Sequence, residues 1–263
     1  MVTGKKNVFG CAANFLRGKK CVFCGSFKVN RTHRGYVRCR KKSCGKQKSL
    51  AQLRRELGIL KGFYQVQPAY KLAHDLGVDY QTVTRVYQRT REAIYHVAEL
   101  EGSKLSGEIE MDESYFGVRR KGKHGRGAKG KSIVFGLLER EARVYTKVVE
   151  GVSADELMEI IRKKTRKGSV YYTDKFRSYN SLKRWGKHHT INHGKGMVDK
   201  KTKNHINGIE GFWSFAKHIL YNYRGVSKYH FPMYLKEVEY RFNHRRDNLF
   251  KLFIHIYFGY VSH

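Results

Sequence analysis

From residue 107 onward the apolar residues of this chain stop recurring every three or four positions and begin to alternate with polar ones. That change of period commits the second half to a sheet with helices laid on it. Side chains repeat every two residues along a strand and about every 3.6 along a helix. Three alternating runs come first, IEMDESYFG, SIVFGLLER and RVYTKVVEG. SADELMEIIRKKT then reads as an amphipathic helix with Ser153 at its N-cap. SVYYTD predicts a fourth strand, FRSYNSLKRW a helix and HHTINH a short fifth strand. NGIEGFWSFAKHILYNY and HFPMYLKEVEYRFNHRR close the pattern as helices.

Three strands, a helix, a strand and then helices is the order of an α/β domain of RNase H-like type, expected over residues 107–246. In such a sheet the first and fourth strands are neighbours. Asp112 lies in the first, Asp174 ends the fourth, and Glu210 sits in the helix after the fifth. Carboxylates with water are what hard divalent cations prefer, and paired ions catalyse in-line displacement at phosphorus. Mg²⁺ or Mn²⁺ is therefore expected on these acids. Each also has an ordinary reading. Glu108 and Glu110 share a strand face with Asp112, and Glu113 is adjacent, so the choice among them is open. Asp174 stands where an N-cap for the next helix would stand. Asn207-x-x-Glu210 has the shape of a capping box. Lys217 follows Glu210 by about two helical turns and shares its face, where it would hold a phosphate beside the metals.

The charge says what such acids would meet. With 54 Lys+Arg against 22 Asp+Glu the formal net charge is +32, a field that favours phosphate backbones. A glycine-basic run supplies part of it: Arg119, Arg120, Lys121, Lys123, Arg126, Lys129 and Lys131 alternate with small residues. It reads as a phosphate-gripping loop or as a solvated charge run. No window of about 18 apolar residues exists, so no membrane span is expected. The first residues lack the apolar stretch of a signal peptide.

All five cysteines fall within the first 44 residues. That distribution does not suit a disulfide scaffold and points to a reducing compartment. Cys21-x2-Cys24 and Cys39-x4-Cys44 are two thiolate pairs on short turns, the pattern that closes a tetrahedron around Zn²⁺. Residues 1–48 are read as a zinc ribbon, with His33 or Cys11 as substitute ligands. Residues 49–100 read as helical, and Ala73-x3-Gly77-x5-Val83 matches a helix-turn-helix. Its second helix would offer Tyr80, Gln81, Thr84, Arg85 and Gln88 to a DNA groove. A plain helical hairpin is the alternative. Residues 247–263 form an apolar, aromatic tail expected to pack on the core or on a second subunit.

MDESYFG, VFGLLER, YYTD, INHGKG and above all HINGIEGFWSFAKH resemble bacterial insertion-sequence transposases of the group related to eukaryotic Merlin elements, in the DDE superfamily. The resemblance spans about residues 20–245. It implies that Asp112, Asp174 and Glu210 bind the metals and that Lys217 completes the set. His205 and Asn207 stand close by as alternatives for the third position. It further implies double-stranded DNA as partner, through terminal inverted repeats and target DNA. Metal-dependent cleavage and strand transfer would follow, by at least a dimer. The implied location is the bacterial cytoplasm at the nucleoid, or the nucleus in a eukaryote. Two rival functions remain: a non-catalytic DNA-binding regulator derived from a transposase, and a nuclease without strand transfer.

Overall fold

A computed structural model describes residues 9–100, 103–117, 131–174, 177–191, 205–223 and 225–260. The chain divides into two units, Ala98–Asn243 and the combination of the residues up to Val97 with those from His244 onward.

In the Ala98–Asn243 unit the alternating runs become strands β4 (Glu108–Phe116), β5 (Ser132–Glu139), β6 (Val144–Val149), β7 (Val170–Asp174) and β8 (Lys187–Ile191). They form one sheet in the order β6-β5-β4-β7-β8. The three strands β4, β5 and β6 pair antiparallel, while β7 joins β4, and β8 joins β7, in parallel. This is the RNase H-like order, with the first and fourth strands of the sheet side by side. The crossover to β7 runs through α5 (Ala154–Lys164), whose Ser153 side chain accepts from the Glu156 N–H as expected of an N-cap. Leu157, Met158, Ile160 and Ile161 of α5 bury against Ile109, Met111, Phe135, Leu137 and Tyr171, the odd-numbered face of the sheet. The helix expected after β7 is a 3₁₀ helix over Arg177–Arg184.

The other face belongs to α6 (Asn207–Tyr221) and α7 (Phe231–Asn243). Helix α7 closes the exposed edge of β6 with side chains. The Asn243 amide accepts from Val144 N at 2.8 Å and donates to Val144 O at 2.9 Å. The Glu239 carboxylate takes both the N–H and the hydroxyl of Thr146. Edge strands left open template pairing with other chains, and these bonds occupy the groups that would do so.

In the other unit, α1 (Gly10–Leu16) precedes a small antiparallel sheet of β1 (Val29–Arg31), β2 (Tyr36–Cys39) and β3 (Gln47–Ser49). Helices α2 (Leu50–Tyr64), α3 (Ala69–Leu76) and α4 (Tyr80–Leu100) follow. The turn between α3 and α4 is made by Gly77 at φ 61°, with Ala73 and Val83 buried on either side. The apolar tail is helix α8 (Leu249–Tyr260), and it packs within this unit. Its Phe250 meets Phe9 edge-on at 5.1 Å, Phe253 meets Phe63 at 5.1 Å, and Phe258 meets Phe23 at 5.8 Å.

Candidate active site

Asp112 stands on β4 opposite Gly136 of β5, on the face covered by α6. On its other side β4 pairs with β7, Glu110 opposite Tyr172, so two residues further along each strand come Asp112 and Asp174. Glu210 is in the first turn of α6. The three charges feel one another. Burial pushes the Asp112 carboxyl up to about 6, Asp174 and Glu210 add to the rise, and the Glu113 backbone N–H and Trp213 oppose it. A half-buried carboxyl beside like charges, as Asp112 is, binds its proton more tightly for want of a cation. The trio therefore suits a divalent ion, the charge that would relieve it. The three do not close into a cage: among the described residues only the cysteine quartet brings its ligand atoms within 4.8 Å of one another. An open arrangement suits ions that keep several waters and sit in pairs.

Asp112 is aimed by an indole. Trp213 Nε1 donates to Asp112 Oδ2 at 3.1 Å. The ring reaches it because it lies directly against Gly136: a Cβ there would be 2.6 Å from Trp213 Cζ2 and 2.8 Å from Cη2. A glycine inside a strand commonly marks such a close approach, and VFGLLER carries one. Sequence patterning singles out neither this glycine nor Trp213.

The β4 acids differ in their partners. Glu110 is buried at 1 % exposure and engaged by Arg140 and the Ile209 N–H. Glu108 receives the Tyr172 hydroxyl, which with the Arg140 charge holds its carboxyl below the usual range. Asp112 is the β4 acid whose carboxyl feels the charges of Asp174 and Glu210. Helix α6 begins at Asn207 with the apolar Ile206 at its cap and no side-chain cap from that residue. Asn207 is thus inside the first turn, and Glu210 N donates to Ile206 O at 3.2 Å. His205 turns its Nδ1 toward Glu110 Oε1 at 3.4 Å. Asn207 is exposed, as is Lys217 further along α6.

In the N-terminal unit the four cysteines come together. Cys21 Sγ and Cys44 Sγ are 3.9 Å apart, and Cys24 Sγ and Cys39 Sγ 3.6 Å. A tetrahedron of thiolates at the usual Zn–S length has edges of about 3.8 Å. Burial pushes the Cys21 thiol up to about 12, so its thiolate needs a cation beside it. The donor set and spacing fit zinc. His33 and Cys11 are outside the cluster. On α4, Tyr80, Gln81, Arg85 and Gln88 are exposed, while Thr84 is half-buried with its hydroxyl on the Tyr80 and Gln81 carbonyls at 3.0 Å. Gln88 donates to Glu92 at 3.1 Å. Of the glycine-basic run only Lys131 is described, half-buried at the entry to β5. Arg119, Arg120, Lys121, Lys123, Arg126 and Lys129 lie outside the described residues, as does most of INHGKG. No helix among the described residues is long and apolar enough to cross a membrane.

Comparison with known proteins gives a family match over residues 104–243, to the ISXO2-like transposase domain. An "Uncharacterized transposase-like protein" of Haemophilus influenzae is 44% identical over 104 residues, covering 39% of this chain and 83% of its own length. Among solved structures, the catalytic domain of Mos1 mariner transposase is 15% identical with a TM-score of 0.36, over 67% of this chain and 90% of that one. A pre-cleavage Mos1 transpososome is 16% identical with a TM-score of 0.36, over 97% and 86%. Likeness at that level carries no weight beside the strand order itself.

Proposed function

The chain belongs to the family of ISXO2-like transposase domains, insertion-sequence transposases of the DDE superfamily, and from that premise we propose that it cuts and joins DNA at Asp112, Asp174 and Glu210. The observation that carries this is the convergence of Asp112 on β4, Asp174 on the adjoining β7 and Glu210 in the first turn of α6, where burial first, and the charges of Asp174 and Glu210 after it, raise the proton affinity of Asp112. These carboxylates would hold divalent ions, Mg²⁺ or Mn²⁺. Such ions activate an attacking oxygen and stabilise a leaving one. The residues of the chain do the rest. Trp213 keeps the Asp112 carboxylate facing the site, and Lys217, on the exposed side of α6, holds a phosphate of the element end. The zinc ribbon on Cys21, Cys24, Cys39 and Cys44 and the face of α4 bearing Gln81, Thr84, Arg85 and Gln88 recognise the terminal inverted repeats. The run from Arg119 to Lys131 grips backbone phosphates without regard to sequence. Action at two element ends calls for at least a dimer on DNA.

The test is an in vitro reaction of the full chain with DNA carrying an element end and a separate target duplex. Joined product whose formation needs Mg²⁺ or Mn²⁺ supports the proposal. Cleavage without joining indicates a nuclease, and end binding without cleavage indicates a regulator. Either outcome overturns it.

A further inference from the structure

Glu110 is the most deeply buried carboxylate on the site face of β4, and metal binding does not use it. What does use it is the start of α6. A helix leaves its first N–H groups without intrahelical partners, and a polar residue just before it ordinarily satisfies one. Ile206 cannot. Glu110 Oε2 does so from across the sheet, accepting from Ile209 N at 2.9 Å. Its other oxygen, Oε1, takes Arg140 Nε at 2.9 Å. Arg140 Nη2 in turn donates to the His205 carbonyl at 2.8 Å, and the guanidinium lies over the Tyr172 ring with its carbon 3.9 Å from the centroid. Gly208 makes room: a Cβ there would stand 2.8 Å from Glu110 Oε2.

The pair thus touches every element that carries one of the three acids, and each time just before the acid. Glu110 precedes Asp112 by two residues on β4, Tyr172 precedes Asp174 by two on β7, and Ile209 precedes Glu210 by one on α6. We propose that Glu110 and Arg140 are positioning residues that hold the three acids together against their mutual repulsion, so that the ions find the site already assembled. This rests on the metal-binding reading of Asp112, Asp174 and Glu210. A buried ion pair adds little stability by comparison with apolar packing. Its directional bonds fix where a helix end sits, which apolar packing does loosely. Groups that orient metal ligands without touching the ion commonly change its affinity by about 10- to 100-fold.

The experiment titrates Mn²⁺ alone into the full-length, zinc-loaded protein and follows free Mn²⁺ by electron paramagnetic resonance, with a thermal melt of each variant alongside. Asp112→Asn defines the site, as the binding it removes. Gly208→Ala and Gly211→Ala place the same methyl on α6. The first meets Glu110, the second meets nothing within 4 Å. We expect Gly208→Ala to weaken Mn²⁺ binding by about tenfold or more, and Gly211→Ala to leave it unchanged. Glu110→Gln keeps an acceptor for the Ile209 N–H but drops the charge facing Arg140, and should weaken binding as well. Because it is isosteric, it carries the comparison alone if Gly208→Ala does not fold. Wild-type affinity in both Gly208→Ala and Glu110→Gln overturns the inference while the metal reading stands. A wild-type protein with no Mn²⁺ binding that Asp112→Asn removes overturns the metal reading, and this inference with it.

Discussion

Adding one methyl group at Gly136 should unseat Trp213 and loosen Asp112. Gly136 lies in β5 between Asp112 on β4 and Thr146 on β6. The Cβ of an alanine would lie 2.6 Å and 2.8 Å from two indole carbons and 3.0 Å from Ile209 Cδ1. Carbon atoms pack best at about 3.5–4.0 Å, so the ring must retreat by roughly 1 Å. It has little freedom to do so. Trp213 is 4 % exposed and sits against Phe116 and Phe212. Overpacking of this kind costs about 1–3 kcal/mol. Losing the bond from Nε1 to the Asp112 carboxylate adds about 1.5–3 kcal/mol. Alanine recovers about 0.5–1 kcal/mol because it orders more readily than glycine. The two losses share one ring movement and do not add in full, leaving about 2–4 kcal/mol. For a domain of this size that is a fall in Tm of about 5–15 °C. Circular dichroism melts of wild type, Gly136→Ala, Trp213→Phe and the double variant would measure it. The smaller phenyl ring leaves room for the methyl, so the two changes should couple by at least about 0.5 kcal/mol, within the usual range for touching residues. An alanine variant melting within a degree of wild type would refute the reasoning. So would an equal penalty in the Trp213→Phe background.

Without added divalent ion, Asp112→Asn should melt above wild type at neutral pH. The carboxyl moves from 3.8 to about 6 on folding, so its ionisation opposes folding. That penalty is absent below about pH 4, grows to about pH 6, and is constant above, reaching at most about 3 kcal/mol. The advantage of the variant should vanish in acid, and a gap independent of pH would count against the charge argument. One Zn²⁺ per chain is expected by metal analysis of protein purified without chelator. Cys24→Ser should lose it, together with end-specific binding, while the Ala98–Asn243 unit stays folded; finding no zinc would exclude the site. Asp112→Asn, Asp174→Asn and Glu210→Gln should each abolish cleavage and joining yet retain end binding in a gel-shift assay, and Lys217→Ala should only slow cleavage. Near-normal cleavage by Glu210→Gln would remove that residue from the set. Neutralising four of the basic residues between Arg119 and Lys131 should flatten the salt dependence of binding, by about 0.9 in log–log slope for each DNA phosphate that the protein then leaves unneutralised. An unchanged slope would mean that the run does not touch DNA.

Much of this protein is written locally. Strand and helix periods, the Ser153 cap and the spacing of the cysteines each follow from neighbours a few residues apart, and all appear in the structure where the residues imply them. So does the placing of acids on the first and fourth strands of the sheet, which the RNase H-like element order implied would be neighbours. The choice among Glu108, Glu110, Asp112 and Glu113 was not legible. Three of these share a face and a chemistry, and only the docking of α6 gives Glu110 a helix to cap and Asp112 an indole to accept from. Asn207 and Glu210 fit a local capping box, yet the helix start is satisfied by a carboxylate from another strand. The glycines at 136 and 208 carried a signal of close approach but not its object, because Trp213 and Glu110 come near them only when the sheet and α6 are packed. The aromatic tail likewise had no address until α8 met Phe9, Phe63 and Phe23. Sequence determines what depends on adjacent residues. Tertiary structure decides which of several equal acids is buried beside other charges, because burial and Coulomb energy depend on distances that no local pattern contains.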